Sequence, residues 1–340
     1  MDVKDGSLLE PGGSFGNYHI VRRLGTGGMG EVFLMDVPER GERYAVKVLD
    51  PASAGSDPED VRRFVMEAEV AMKFRHPNIV EVYDAGRDPE TGFCYIVMEY
   101  MPCGSLRDVL GENPGGMSLA GVVSVATDVA RALVYMEANG MVHRDVKPDN
   151  VLFSADGTAK LADLGISRFA RAPGQDPRMT NAGDVVGTPA YMAPEQMLDS
   201  RSVDSRADVY SLGVMMFEML AGRRPNYGES AMRTLAKAIE GMVFPDVRTL
   251  RPDTPDGLAA LVSAMTMPSP SQRPSSVRAT LDLLTHPERI PAALPYAKLS
   301  PPPRPSVPWY DDRSLLYAVA AMVLAFCALV VALRNSIGGL

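Results

Sequence analysis

Two segments near the N-terminus have the residue types and spacing that bind phosphate. The first is Gly25-Thr26-Gly27-Gly28-Met29-Gly30, where backbone amides can approach phosphate oxygens because no Cβ blocks them. A similar glycine string opens dinucleotide-binding Rossmann units, but there a helix follows directly. Here residues 31–37, EVFLMDV, have the pattern of a strand. The context therefore predicts a strand-turn-strand loop that covers a nucleotide.

Lys47 is the second feature, the single cation in the apolar run YAVKVL at residues 44–49. A lysine on the inward face of a buried strand is costly unless a phosphate or a carboxylate offsets its charge. The alternative is a side chain that extends to solvent. A carboxylate partner is expected from the helix predicted at residues 59–74, where Glu67 and Glu69 both qualify. Helical periodicity does not separate these two.

A longer motif follows at residues 141–153, MVHRDVKPDNVLF, with Asp163-Leu164-Gly165 ten residues beyond it. Further along are GTPAYMAPE at residues 187–195 and DVYSLGV at residues 208–214. Together with the glycine loop and the strand lysine, these motifs occur in a fixed order. Residues 18–286 therefore resemble a eukaryotic-type (Hanks-type) serine/threonine protein kinase domain. GGMG in the first loop and the membrane-anchored layout described below resemble the bacterial branch of that family.

The resemblance implies phosphoryl transfer from ATP, with catalysis by positioning and charge neutralisation. It assigns Asp145 as the group that orients the substrate hydroxyl and accepts its proton, and Lys147 as the cation that stabilises the transferring phosphoryl group. Asn150 and Asp163 would supply oxygen ligands for Mg²⁺, and two ions are implied.

The resemblance also implies an ATP-binding set: Leu24, Gly25, Gly27, Gly30, Val32, Ala45, Lys47, Glu67, Glu99 and Met101. In this set Lys47 would contact the α and β phosphates and pair with Glu67, because MEA at residues 66–68 matches the family's helix motif. Adenine would bond to the backbone of the segment from Glu99 to Met101 and pack on Val32 and Ala45. Met98 would gate the space behind it. Structural roles are implied for Thr188, Glu195, Asp208 and Arg273.

Within these roles, Asp208 would hold the catalytic loop through its backbone, and Glu195 would pair with Arg273. Thr188 would bridge the catalytic aspartate and lysine. Arg144 precedes the catalytic aspartate, and in kinases with that arrangement an anion on the activation segment offsets the charge of the arginine. Thr180 matches an autophosphorylation site of related bacterial enzymes and is predicted to be phosphorylated in trans.

Two departures from the family pattern are small. Leu164 replaces the commoner phenylalanine after the metal-binding aspartate, and Ala182 occupies a neighbouring phosphorylation site. All charged positions of the motifs are kept, so an active enzyme is expected. Lysine at position 147 and the run GTP at residues 187–189 favour serine and threonine acceptors over tyrosine by resemblance.

The elements that must position these residues fall into two groups, strands first and helices afterwards. Short β-branched and aromatic runs lie between residues 18 and 100, and longer helical runs follow, such as residues 119–139 and 207–220. We expect an α+β, bilobal protein kinase fold: an N-terminal tail at residues 1–17, then a kinase domain at residues 18–286. Its N-lobe would comprise residues 18–101 and its C-lobe residues 102–286.

Composition excludes several other classes of protein. The 340 residues are 46% hydrophobic, enough to fill a core, and the net charge of −8 argues against a nucleic-acid partner. The 3 cysteines are odd in number and widely spaced, which fits reduced thiols rather than a disulfide framework. Residues 1–13 contain three acidic residues and no apolar run, so a secretory signal peptide is not expected.

The C-terminal part differs from the rest of the chain. Residues 287–313 form a proline-rich juxtamembrane linker, in which PPRP at residues 302–305 is a less favoured partner-binding motif. Residues 314–334 include an uncharged apolar run long enough to cross a bilayer, and residues 335–340 form a short tail. A helix buried in a soluble domain is the weaker alternative. More basic residues precede the run than follow it, which predicts a single pass through the cell (inner) membrane with a cytoplasmic kinase domain.

A face of alanines at 318, 321, 325, 328 and 332 raises the hypothesis of homodimerisation through this helix, against the simpler explanation that alanine is abundant in membrane helices. The sequence as a whole predicts an ATP- and Mg²⁺-dependent kinase that phosphorylates serine and threonine hydroxyls of proteins. The alternatives are a membrane-anchored pseudokinase scaffold and a small-molecule kinase. The intact charged motifs oppose the first, and the GTPAYMAPE segment, which belongs to protein-substrate docking in this family, opposes the second.

Overall fold

The computed structural model describes residues 7–27, 30–50, 64, 68–163, 189–198, 203–225, 233, 236–237 and 239–286. The chain divides into two units, Met1–Leu299 and Ser300–Leu340. The second unit lies outside the described residues, as do the proline-rich linker and the predicted membrane helix. All of the described residues belong to the first unit.

Six strands form an antiparallel sheet in the N-terminal part. They are β1 (Ser14–Phe15), β2 (Tyr18–Gly27), β3 (Gly30–Val37), β4 (Glu42–Leu49), β5 (Val82–Arg87) and β6 (Cys94–Glu99), in the order β1-β2-β3-β4-β6-β5. Alternating apolar residues in these runs place one set of side chains on each face of the sheet. Helical residues at 64 and 68–71 lie between β4 and β5, inside the helix predicted from the sequence.

The outer face of this sheet carries an apolar cluster, composed of Phe15, Ile20, Phe33, Met35, Val46, Val48 and Val97. Residues 7–15, here called the N-terminal strap, cover part of it: Leu8 and Leu9 pack against the cluster, and Phe15 is 3% exposed. Packed structure therefore begins before residue 18, inside the segment that the sequence predicted to be a tail. The strap is short and rich in glycine, and it is held by pairing with distant residues rather than by local propensity.

Helices dominate after residue 105. They are α1 (Leu106–Glu112), α2 (Leu119–Ala138), α3 (Pro194–Leu198), α4 (Arg206–Ala221), α5 (Asp256–Met265) and α6 (Val277–Thr285). Serine N-caps begin α1, α2 and α6, where the hydroxyl accepts a backbone N–H of the first turn. Helix α4 is buried on all sides from Ala207 to Leu220, and α2, α5 and α6 contribute to the same core. The β-rich lobe followed by an α-rich lobe confirms the predicted bilobal fold.

Two short strands, β7 (Val151–Phe153) and β8 (Ala159–Leu161), pair antiparallel beside the helices. The sequence did not predict them, because three-residue strands have little pattern of their own. The start of β7 lies opposite the end of β8, so these strands bring the residues before Val151 close to those after Leu161.

Among the described residues, the one helix long and apolar enough to cross a bilayer is α2. Its positions Val122, Val129 and Leu133 are buried among other helices. It is therefore explained as a core helix. The predicted membrane helix at residues 314–334 is not among the residues described.

Candidate active site

The segment from His143 to Asn150 is held in place by a buried carboxylate of α4. Asp208 is 2% exposed and accepts the backbone N–H of His143 at 2.8 Å and of Arg144 at 2.7 Å. Burial raises the pKa of Asp208 to about 7, while the two N–H bonds oppose that shift by favouring the ionised form. The geometry is the one that the sequence resemblance implied for Asp208.

His143 organises the same loop through its ring, a role that the sequence analysis did not assign. Its Nε2 lies 3.2 Å from the carbonyl oxygen of Ala162, and its Nδ1 accepts the backbone N–H of Asp145 at 3.2 Å. These two contacts require the neutral ring with the proton on Nε2. The side chain is fully buried, so it ties the loop to the end of β8 without access to solvent.

Three side chains of the loop converge on one another. The Nζ atom of Lys147 lies 3.0 Å from Oδ2 of Asp145. The amide Nδ2 of Asn150 donates to the Asp145 backbone oxygen at 2.9 Å and to Asp145 Oδ2 at 3.2 Å. The Asp145 carboxylate is thereby oriented by a cation and an amide while one of its oxygens, Oδ1, makes neither contact.

The β7–β8 pair brings the two predicted metal ligands to one end of the site. Val151 pairs with Leu161, so Asn150 before β7 lies beside the residues that follow β8. The backbone N–H of Ala162 donates to the Asn150 carbonyl oxygen at 2.8 Å. Asp163 comes next and has φ 51°, a left-handed conformation that is uncommon outside glycine. Its side chain is 54% exposed.

Lys47 lies across from this end of the site. Its Nζ atom is 3.6 Å from Oδ1 of Asp163, and its side chain is 14% exposed. Val32 is its cross-strand partner on β3, and Ala45 shares its sheet face two positions along β4. The predicted adenine-packing residues and the predicted phosphate-binding lysine therefore occupy a single face, the inner face of the sheet. Glu67, the predicted partner of Lys47, lies outside the described residues.

The described part of the glycine-rich segment is the end of β2 and the start of β3. Gly25 pairs with Val32 and Gly27 pairs with Gly30, while Leu24 occupies a register shift just before them. A Cβ on Gly30 would lie 2.1 Å from the Val48 carbonyl oxygen, and φ at this position is 122°. Only glycine fits there.

The segment that joins the lobes carries an ion pair that the sequence analysis missed. Glu99, at the end of β6, accepts from Lys160 of β8 at 2.7 and 2.8 Å. The Glu99 backbone N–H is also engaged, since it donates to the Glu81 carbonyl oxygen at 2.8 Å. Met101 is 7% exposed and Met98 packs against the main core cluster. No local sequence pattern indicates this pair, because Glu99 and Lys160 are far apart in the chain.

A second ion pair joins α3 to the loop before α6. Arg273 donates to both carboxylate oxygens of Glu195 at 2.6 and 2.9 Å, with the arginine side chain fully buried. Its guanidinium lies 4.7 Å from the centroid of the Tyr210 ring. The structure thus brings together the two residues that the resemblance paired.

A further buried network connects the GTPAYMAPE segment to α1 and α4. The Tyr191 hydroxyl donates to Glu218 and accepts from Arg107 at 2.6 Å, and Arg107 also donates to Glu218 at 3.0 Å. Burial is the main cause that raises the pKa of the Tyr191 hydroxyl, and the Glu218 carboxylate adds to it. Arg107 also reaches Asp149, next to the metal-ligand candidate, at 3.4 Å.

Three predicted features lie outside the described residues. They are the phosphorylation site Thr180, the bridging residue Thr188, and Leu164 after the metal-binding aspartate. The described part of the chain therefore shows the catalytic loop and the inner sheet face. Of the activation segment, residues 163–195, it contains Asp163 and residues 189–195.

Comparison with known proteins agrees with this geometry. The protein kinase domain family matches residues 18–287. The serine/threonine-protein kinase PknA of Mycobacterium tuberculosis is 36% identical over 261 residues, 76% of this chain and 58% of PknA. PknB of the same organism is 36% identical over 262 residues, 76% of this chain and 40% of PknB. Pkn1 of Myxococcus xanthus is 43% identical over 214 residues, 62% of this chain and 29% of Pkn1.

The similarity extends to a solved structure. The kinase domain of Mycobacterium tuberculosis PknI superposes with a TM-score of 0.61 and 31% identity, covering 82% of this chain and 98% of that domain. The chain spans less than two thirds of the length of the curated relatives named above. A bilobal fold, a matching family over most of the chain and serine/threonine kinases as relatives lead to one conclusion: this chain belongs to the protein kinase family, in its bacterial Hanks-type serine/threonine branch.

Proposed function

We propose that this protein transfers the γ-phosphoryl group of Mg-ATP to serine and threonine hydroxyls of other proteins. The proposal depends on side chains that the fold brings together. Asp145, Lys147 and Asn150 contact one another, and Asp163 follows β8, which pairs with the β7 strand after Asn150. Lys47 lies 3.6 Å from Asp163. This set combines a proton acceptor, two cations and two oxygen donors, which are the groups that phosphoryl transfer requires.

The donor chemistry fits Mg²⁺. Asn150 commits its amide nitrogen to Asp145, so its side-chain oxygen is the atom left for a metal. Asp163 adds a carboxylate, and Mg²⁺ prefers such oxygens together with water and phosphate. No group of three His, Cys, Asp or Glu residues suited to a metal occurs within the described ranges. That agrees with ions held by two protein side chains and by the nucleotide, and two ions are proposed. Bound Mg²⁺ would neutralise phosphate charge during transfer.

The residues of the chain then have distinct tasks. Asp145 orients the acceptor hydroxyl and takes its proton as the hydroxyl oxygen forms a bond to the γ-phosphorus. The bond from that phosphorus to the bridging oxygen breaks, and ADP leaves with the electron pair. Lys147, held 3.0 Å from Asp145, places positive charge beside the transferring group. Lys47 holds the α and β phosphates, and the backbone of residues 99–101 holds adenine.

Incubation of the purified full chain with radiolabelled ATP, Mg²⁺ and a panel of proteins tests the proposal. The expected result is labelled phosphoserine and phosphothreonine but no phosphotyrosine. Asp145→Asn should reduce labelling by at least about 100-fold because the proton acceptor and an oriented carboxylate are lost. Asp253→Asn is the matched control, since that side chain is 66% exposed and pairs with Arg251 away from the loop. Absence of labelling in the wild-type chain under all conditions would instead favour the pseudokinase scaffold.

Activation by phosphorylation of Thr180 in trans is part of the proposal. The support is Arg144, whose burial lowers the pKa of its guanidinium, so an added anion nearby stabilises the charged form. Thr180→Ala should slow substrate phosphorylation, and Ser167→Ala in the same segment should not. Equal activity of Thr180→Ala and wild type, with unchanged autophosphorylation, contradicts the regulatory role.

Attachment to the cytoplasmic face of the cell membrane through residues 314–334 is proposed from composition. Residues 315–333 lack charge, and their length suits a bilayer. Carbonate-washed membranes should retain the full chain and release a chain that lacks residues 314–334, whereas deletion of residues 335–340 should change nothing. Recovery of the full chain in the soluble fraction would refute the anchor.

Homodimerisation through the alanine face of that helix is a separate proposal. Replacing Ala321 and Ala325 by leucine fills the small-residue face and should reduce cross-linking in membranes. Ala320→Leu is the control, because position 320 falls outside the spaced set of alanines and lies on another face of a helix. Unchanged cross-linking of the double variant would contradict dimerisation at this surface.

A further inference from the structure

The N-terminal strap is bonded to the strand that leaves the glycine-rich loop. Glu31 follows Gly30 and is 9% exposed. One of its carboxylate oxygens accepts from the Leu8 backbone N–H at 2.8 Å and from Ser7 Oγ at 3.0 Å, and Ser7 Oγ shares its single proton with the Leu9 carbonyl oxygen at 2.9 Å. The other accepts from Arg23 Nη1 at 3.1 Å. A single buried carboxylate therefore joins the strap, β2 and β3.

The strap is also fixed along the rest of its length. The backbone N–H of Ile20 donates to the Gly13 carbonyl oxygen at 2.9 Å, and β1 pairs with β2. The Phe15 ring packs edge-on against Tyr95 with the centroids 5.8 Å apart. Leu8 packs against the apolar cluster of the outer face. Docking of the strap thus depends on burial of apolar side chains as well as on the carboxylate.

Glu31 lies on the opposite face of the sheet from the residues that are proposed to bind the nucleotide. Successive residues of a strand point to opposite faces, so Glu31 shares the outer face with Phe33 while Val32 lies on the inner face opposite Lys47. Gly30 lies close against β4, because a Cβ added at this position would be 2.1 Å from the Val48 carbonyl oxygen. A displacement of the Glu31 backbone therefore displaces Gly30 and Val32, its two neighbours in β3.

We propose that the N-terminal strap and Glu31 hold the glycine-rich loop in its nucleotide-binding position, with Glu31 acting as a positioning residue. The inference rests on the proposed function. Ser7 and Leu8 donate to the Glu31 carboxylate only when the strap is docked. Because Glu31 directly follows Gly30 of the glycine-rich loop, docking of the strap and the position of the loop are coupled. A negative charge placed on Ser7 would face the Glu31 carboxylate at hydrogen-bonding distance and would undock the strap.

The test measures the dissociation constant of a fluorescent ADP analogue, KM for ATP and kcat on the full chain. The variants are Glu31→Gln, Ser7→Glu and Ser7→Ala. Glu31→Gln keeps the size but leaves a single acceptor oxygen where two now accept. The controls are Glu10→Gln and Ser14→Ala, two exposed positions of the same strap. We expect Glu31→Gln and Ser7→Glu to weaken nucleotide binding and raise KM for ATP by about tenfold, a smaller effect for Ser7→Ala, and little change in kcat.

Wild-type nucleotide affinity in Glu31→Gln and Ser7→Glu would overturn the inference. A lowered Tm and kcat with unchanged nucleotide affinity would overturn it too, because that pattern indicates general destabilisation. If Glu31→Gln does not fold, the nucleotide affinities of the two Ser7 variants test the inference, because each of these variants changes only the Ser7 side chain of the strap. The ADP titration needs no phosphoryl transfer. A chain that binds ADP but labels no protein therefore refutes the proposed function while the affinity comparison still tests the strap.

Discussion

The buried pair of Arg273 and Glu195 provides the sharpest prediction about stability. The Arg273 side chain is fully buried, and Glu195 supplies the only carboxylate that contacts it among the described residues, at 2.6 and 2.9 Å. Three backbone carbonyl oxygens also accept from this guanidinium, those of Met267, Arg206 and Pro268. Glu195→Ala leaves the cation buried with carbonyl partners alone, and Arg273→Met leaves the carboxylate and all three carbonyls without their donor.

Removal of one partner from a buried ion pair costs about 3–5 kcal/mol. Glu195→Ala should cost about 3 kcal/mol, because the carbonyl bonds remain and Glu195 itself is only partly buried. Arg273→Met should cost about 5 kcal/mol, since it also leaves buried acceptors unsatisfied. The double variant should cost less than the sum of the two by about 2–3 kcal/mol, because no unpaired charge remains. These values are a large part of the 5–15 kcal/mol that stabilises an ordinary domain.

Urea unfolding of the full chain, followed by far-UV circular dichroism and extrapolated to water, measures each corner of the cycle. The exposed pair of Arg248 and Asp256, at 2.6 Å with side chains 43% and 79% exposed, is the matched control. Its coupling should be below about 1 kcal/mol. A coupling at Arg273 and Glu195 no larger than that of the control pair would refute the argument from burial.

Three further outcomes are expected. Tyr191→Phe should lower the free energy of unfolding by about 1–3 kcal/mol, because its buried hydroxyl bonds a carboxylate and a guanidinium; a change under about 0.5 kcal/mol in urea unfolding contradicts this. Hydrogen bonds from Ser105 lower the pKa of Asp108, so its stabilisation holds above about pH 4 and is lost as pH falls through the folded pKa. Asp108→Asn should therefore cost less than about 0.5 kcal/mol at pH 7, because the side chain is exposed and solvent screens its charge, and the cost should shrink as the pH falls below about 4; an equal cost at pH 7 and at pH 2 would be inconsistent. Iodoacetamide followed by peptide mapping should label exposed Cys103 at least about tenfold faster than buried Cys94, whose pKa burial raises; equal rates would count against the packing of β6.

The main strands and long helices could be predicted from sequence because each is long enough for its apolar residues to show the spacing of a strand or a helix. Helix α2 starts at the predicted Leu119 and ends one residue before the predicted Asn139, and α4 extends the predicted range by one residue at each end. The strands β1, β7 and β8 have two or three residues each. Their pairing energy comes from distant partners, so local pattern does not reveal them.

Motif recognition named the candidate catalytic residues but not the contacts that orient them. The spacing of the motif containing Asp145 and Asn150 indicated a catalytic loop. It did not show that His143 ties this loop to Ala162, or that Asn150 donates to Asp145. Such contacts depend on side-chain rotamers and on backbone that returns from far along the chain.

By itself the sequence determined the family, the two-lobed order of elements and the identity of the charged groups, since these depend on residue types in fixed linear order. Only the tertiary structure decided which groups meet. Glu31 appears in sequence as one more residue of a strand, yet folding buries it beneath the strap with donors from Ser7 and Leu8. A buried carboxylate is stable only with such donors, and donors more than twenty positions away in sequence reach it through packing alone.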